Sequence, residues 1–160
     1  SYFTITLVLL FIYNLFNRIY IGDSGAYTLA FIFSVNLIDI YSIYPNISPF
    51  FIIVLLWYPC FELLFSIIRK FNFNKSPIQP DVNHLHQLVY FFIKNKIKSN
   101  ELFCNNLSSL FIIIYNVIIF YLSLKNIYNT QFQVILILVS TLIYTFLYIK
   151  LLKYKILRKK

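Results

Sequence analysis

The sequence predicts an all-α polytopic membrane protein, with about five transmembrane helices and a short amphipathic helix on the cytoplasmic side. Three observations predict it. Of 160 residues, 60% are hydrophobic and 21% aromatic, while 12% are charged, against about 25% in an ordinary soluble domain. The apolar residues gather into long stretches. The basic residues gather between those stretches on alternate sides, as the positive-inside rule requires.

Taken in order, the stretches are Tyr2–Phe16, Ala26–Tyr44, Phe50–Ile68, Leu107–Leu124 and Phe132–Leu152. All but the first approach or exceed the roughly 20 residues that a crossing helix needs. Lipid offers the backbone no hydrogen-bond partner, so a crossing segment must be a helix or part of a closed barrel. Phe50-Phe51-Ile52-Ile53-Val54-Leu55-Leu56 is apolar on every side. It lacks the alternation of a barrel strand. Tyr2–Phe16 is short, and it has neither the basic leader nor the cleavage site of a signal peptide. The chain, which begins at Ser1 and contains no Met, is therefore expected to be the C-terminal piece of a longer membrane domain, cut within a helix. The whole of 1–160 is expected to be one membrane domain, with a cytoplasmic loop over about 69–106.

Arg18 lies in the first connection. Arg69, Lys70, Lys75, Lys94, Lys96 and Lys98 lie in the third, and Lys150, Lys153, Lys155, Arg158, Lys159 and Lys160 at the C-terminal end. Only Lys125 falls elsewhere. Connections one and three and the C-terminus are accordingly placed in the cytoplasm. The net charge of +9 is then a topology signal rather than a nucleic-acid footprint, and no nucleic-acid partner is expected. Within the third connection, Leu85, Leu88, Val89, Phe92 and Ile93 recur at helical spacing. Turn residues Pro77 and Pro80 precede them and lysines follow, which predicts a short helix lying in the membrane interface, with Asp81 or Asn83 as its N-cap.

Ionisable residues beside a membrane are candidates for function. Asp23, between Gly22 and Gly25, sits where a helix begins. It is read either as an N-cap or as one ligand of Mg²⁺, an ion that takes one or two carboxylates plus substrate phosphates. His84 would fall in the first turn of the amphipathic helix, among backbone N–H groups that favour an anion. On a continuous helix His86 would point away from it, so both rings can serve one ligand only if His84 lies at the helix start. Two histidines are too few for zinc, and phosphate contact suits them better. Glu62, after Pro59, is read as a partner for a basic group or as a liner of a polar cleft. Arg69 and Lys70 are either topology determinants or phosphate partners. Asp39 is expected to be interfacial, and Glu101 to be a solvated loop residue. Cys60 and Cys104 have neither metal-ligand spacing nor an evident disulfide partner.

Three ordered segments resemble a known family, the polyprenyl-phosphate N-acetylhexosamine-1-phosphate transferases. Asn17 to Ala26, containing Gly22-Asp23-Ser24-Gly25, is similar to that family's Gly-Asp-x-Gly-Ser segment. Pro59 to Glu62, with Arg69-Lys70 behind, resembles its Pro-x-x-Asp segment and basic pair. Ser76-Pro77 through Asp81, His84 and His86 resembles its Ser-Pro-x-x-x-Asp-x-x-His-x-His-His loop. The resemblance implies a multi-pass enzyme of the bacterial inner membrane, with its site on the cytoplasmic face. It would transfer a sugar-1-phosphate from a UDP-sugar to undecaprenyl phosphate, releasing UMP, for cell-envelope polysaccharide synthesis. It implies Mg²⁺ (or Mn²⁺) held in part by Asp23. Gly22, Gly25, Asp81, His84 and His86 would bind substrate, Glu62 and Arg69 could join them, and a homodimer is compatible.

The chain departs from the family pattern at Ala26 (for a small hydroxyl residue), Glu62 (for Asp) and Gln87 (for the second His of a pair). The family's Asp-Asp-x-x-Asp and Asn-x-x-Asn-x-x-Asp-Gly motifs are not in this sequence. The catalytic acids are therefore expected upstream, and 1–160 alone is expected to be inactive. Two other readings compete: a non-catalytic membrane scaffold of the same family, and a transporter. A transporter would want ionisable groups at broken helices near the midplane, and only Glu62 with Pro59 fits that.

Overall fold

The computed structural model describes residues 2–72, 76 and 83–159. Among them are six helices and no strand: α1 (Tyr2–Leu15), α2 (Gly22–Ile43), α3 (Pro49–Asn72), α4 (Leu85–Ile97), α5 (Glu101–Lys125) and α6 (Thr130–Lys159). Four of these, α2, α3, α5 and α6, are long and apolar enough to cross a membrane, and α1 is a shorter apolar helix. At about 1.5 Å per residue, even the 22 residues of α2 match the roughly 30 Å of a hydrocarbon core. The protein is thus an all-helical polytopic membrane protein, as predicted. Its helices form two compact units, Ser1–Asn46 and Ile47–Lys160.

In the first unit, α1 ends because Asn17 takes a left-handed conformation, at φ 53°. The Arg18 N–H then reaches back to the Tyr13 carbonyl at 3.0 Å, closing a wide terminal loop of the kind that satisfies orphan carbonyls. A second positive φ, 66° at Gly22, opens α2, and there glycine is the residue that carries no steric penalty. The helix therefore starts four residues before the apolar stretch that announced it. No residue of α2 is buried, and Tyr27, Phe31 and Ile38 are each about 70% exposed, as a lipid-facing helix would be.

The second unit has a packed core of Val54, Trp57, Leu85, Leu88, Val89, Ile119, Leu136, Tyr144 and Tyr148. Trp57, Phe61 and Phe65 recur every four residues along α3 and meet Tyr144 and Tyr148 of α6. Phe61 meets Tyr144 edge-on at 5.0 Å between ring centres, and Phe65 meets Tyr148 at 4.8 Å. Such pairs add about 0.5–1.5 kcal/mol each beyond their burial. At the other end of the seam, the buried Gln133 side chain accepts from Ser123 Oγ at 2.6 Å and donates to the Ser123 and Asn126 carbonyls, both at 2.9 Å. That closes the α5–α6 turn.

The amphipathic helix is present as α4, with one correction to its setting. Its stripe of Leu85, Leu88 and Val89 is buried in the core of the bundle, with Ile93 packed against it. The apolar face is used on neighbouring helices rather than left free for the interface. Lys98 ends α4 in a left-handed conformation at φ 50°. Asn100 Oδ1 then accepts from the Leu102 N–H at 3.2 Å and starts α5. Glu101 is consequently the first residue of that helix, not a loop residue, and it pairs with Lys94.

Candidate functional site

Asp23 lies in the first turn of α2, where the helix dipole favours a negative charge. It is not the N-cap. Ile21 precedes the helix and makes no side-chain cap, and the Asp23 carboxylate is exposed. At Gly25 an added Cβ would come within 2.4 Å of Ile21 Cγ2, so this turn is tight on one side. Gly22, Asp23 and Gly25 all belong to the first unit.

The other candidates belong to the second unit, at the junction of α3 with α4. His84 is the N-cap of α4, with extended backbone at φ −68° and ψ 153°, which corrects the expectation of Asp81 or Asn83. Asp81 lies outside the described residues. His84 and Gln87 face each other as a capping box, with no hydrogen bond of ordinary geometry to the His84 ring from the helix backbone, and Glu62 joins them from α3. Gln87 Oε1 accepts from the His84 N–H at 3.1 Å. Glu62 Oε1, reaching across from α3, accepts from the Leu85 N–H at 3.0 Å and lies 3.0 Å from His84 Nδ1. The anion that the start of α4 favours is thus supplied by the protein itself. Among the described residues Glu62 pairs with His84 rather than with a Lys or Arg, and its side chain is 12% exposed against 27% for His84. The hydroxyls of Tyr58 and Tyr144 interact with the same carboxylate without closing hydrogen bonds of ordinary geometry. Oε2 remains a buried acceptor with no partner among the described residues.

Because His84 stands ahead of the helix, its ring is not forced away from His86. The two imidazoles lie parallel, 7° apart in plane and 5.7 Å between centres. His86 is exposed on one side and opens on the other into a cleft of about 500 Å³ between α3, α4 and α5. The shielding on that side pushes its pKa below the ordinary imidazole value, and the neighbouring Glu62 charge works against the shift. Gln87, Tyr90, Asn105 and Ser109 line the same cleft, with Ile112 and Ile113 at its apolar wall. Among the described lining residues no side chain is charged, so the cleft suits hydroxyls and amides rather than a bare phosphate.

Arg69 lies in the last turn of α3. It donates through Nη1 to the Asn83 carbonyl at 2.7 Å and also bonds the Tyr148 hydroxyl. Lys155 of α6 donates to Asn83 Oδ1 at 2.7 Å. Sequence reasoning missed Asn83, Tyr148 and Lys155 as the clasp on the segment leading into His84. Lys155 is 72 positions from Asn83, and no local pattern connects them. Gln87 was legible as a departure from the family pattern but not as half of a cap.

Among the described residues, no group of three or more His, Cys, Asp or Glu side chains could hold a metal by itself. The structure therefore brings Glu62, Arg69, His84 and His86 to one junction, and it holds Gly22, Asp23 and Gly25 in a separate unit.

No protein-family model and no solved structure matches the chain. Over 79 residues, 47% of its length, the chain is 33% identical to the probable undecaprenyl-phosphate N-acetylglucosaminyl 1-phosphate transferase of Bacillus subtilis (strain 168). The matched stretch spans 21% of that protein. That relative's name is that of the kind of transferase which the three motifs resemble.

Proposed function

We propose that this chain forms part of a membrane transferase that moves a sugar-1-phosphate from a UDP-sugar to undecaprenyl phosphate, on the cytoplasmic face of a bacterial inner membrane. The similarity to the Bacillus subtilis relative carries the reading. The parallel pair of imidazoles beside an uncharged cleft supports it. His84 and His86 offer ring nitrogens to the donor's phosphates, and the cleft with Asn105 and Ser109 accepts the neutral sugar. An acetamido group suits it, since Ile112 and Ile113 can take the methyl.

A Mg²⁺ ion would be held by Asp23 together with substrate phosphates. The fit is that of one ligand: the carboxylate is exposed at a helix start, and Mg²⁺ asks for few protein ligands when phosphates supply the rest. When bound, the ion offsets charge on the departing UMP. The protein's own residues orient the donor and keep the phosphate end against the histidines, while the lipid phosphate approaches from the bilayer. The cap role of Gln87 gives a structural reason for its place in the first turn of α4.

The test is transfer of labelled N-acetylglucosamine-1-phosphate from its UDP donor to undecaprenyl phosphate by the full-length protein in membranes, with UMP release followed in parallel. Activity that disappears in His84→Ala and in Asp23→Asn, with membrane insertion unchanged, is the expected result. Wild-type protein that transfers from no UDP-sugar would overturn the reading in favour of a scaffold. Full activity in Asp23→Asn would remove the metal role alone.

A further inference from the structure

We infer that Glu62 is a positioning residue that fixes the tautomer of His84, committing Nδ1–H to the protein and leaving Nε2 as the ring nitrogen for a ligand. Glu62 Oε1 accepts from the backbone N–H of Leu85 at 3.0 Å. A backbone N–H can only donate, so this oxygen is an acceptor there. The same oxygen lies 3.0 Å from His84 Nδ1, and the ring completes the contact by donating Nδ1–H. Which nitrogen of a histidine carries the proton is set by the bond that the other makes. Burial holds the arrangement in place: Glu62 is 12% exposed, while the ring it holds keeps 27% of its side chain accessible.

The carboxylate therefore does two things at once. It caps α4, and it aims the ring at the end of the same helix. Parallel stacking with His86 at 5.7 Å follows from that aim. For the proposed transfer, on which this role rests, Nε2 is the atom that meets a phosphate oxygen. Glu62 itself touches no substrate.

The experiment is ¹⁵N-histidine labelling of the full-length protein in nanodiscs, with the His84 signals assigned by their loss in His84→Asn. Spectra are taken over a pH series, and the tautomer is read at its alkaline end once the ¹⁵N shifts no longer change with pH. Wild-type protein is expected to show Nδ1 protonated and Nε2 bare. Glu62→Gln keeps an acceptor oxygen and retains that tautomer, while Glu62→Ala shifts the ring to a mixture. Should Glu62→Ala fail to fold, Glu62→Asp replaces it. Its oxygen falls one methylene short, and the same mixture is expected. An Nε2–H ring in the wild type, or an unaltered tautomer in the shortened variants, overturns the inference.

In transfer assays the shortened variant is expected to lose about 10–100-fold in kcat, with the donor KM changed less than about threefold, since positioning acts on orientation. If the transferase reading fails, no variant transfers sugar, yet the tautomer response stands. If positioning fails, wild-type transfer remains and the tautomer does not respond to Glu62.

Discussion

Asp23 and Glu62 are both carboxylates at the start of a helix, and each meets the positive end of a helix dipole. Asp23 belongs to the helix that it starts, is exposed, and is not the N-cap. Glu62 belongs to α3 but serves α4, is largely buried, and has one oxygen shared between a backbone N–H and an imidazole. The difference is one of commitment. Glu62 is used by the architecture, so replacing it disturbs how the site is built. Asp23 is exposed in the first turn of its own helix, and under the proposed function, in which it meets an ion from outside, replacing it is expected to touch chemistry with little effect on the fold. Glu101, a third acidic residue at a helix start, is exposed and, among the described residues, pairs with Lys94.

Four experiments break or sharpen this contrast. The largest effect is expected at Asp23. Asp23→Asn lowers UMP release by about a hundredfold or more, the loss usual when a charge-stabilising group is removed, while thermal stability in detergent changes by less than about 0.5 kcal/mol. A large stability loss would make Asp23 structural, like Glu62. Next, Glu62→Ala lowers the stability of the folded protein by about 1–3 kcal/mol, the cost of orphaning buried donors, measured by denaturant unfolding in mild detergent. Equal stability would mean that α4 needs no cap from α3.

The third test is pH. His86 is less easily protonated in the folded protein than an ordinary imidazole, because burial disfavours its charged form. Once the pH drops below about 6.5, the unfolded chain takes up a proton that the folded chain resists. Stability is full above that value and declines below it, toward the lower folded-state pKa. His86→Gln flattens this acid-side decline in a melting series, and Glu62→Gln steepens it by removing the charge that opposes the shift. The smallest effect is expected at Glu101. Glu101→Gln leaves both melting temperature and transfer unchanged, since exposed pairs contribute little.

The helices were legible because lipid-crossing backbone has few solutions, and their composition announces them. Their boundaries were less so: Gly22 and Asp23 belong to α2 because a positive φ opens the helix there, ahead of the first apolar residue of the stretch. The histidines were legible as candidates by residue type and spacing. Their parallel alignment needed the extended conformation of His84, which depends on a cap built partly from α3.

The sequence by itself determined that this chain lives in a membrane, which segments are helical, and which ionisable residues merit suspicion. Those follow from local rules, namely hydrogen-bond satisfaction in lipid, periodicity, and the cost of charge beside an apolar phase. The tertiary structure alone decided what the described ionisable residues of the α3–α4 junction touch. Glu62 and His84 are 22 positions apart, and Lys155 and Asn83 are 72 apart. Contacts at such separations are set by how helices pack, and the packing of core side chains from four helices leaves no periodic trace in the chain.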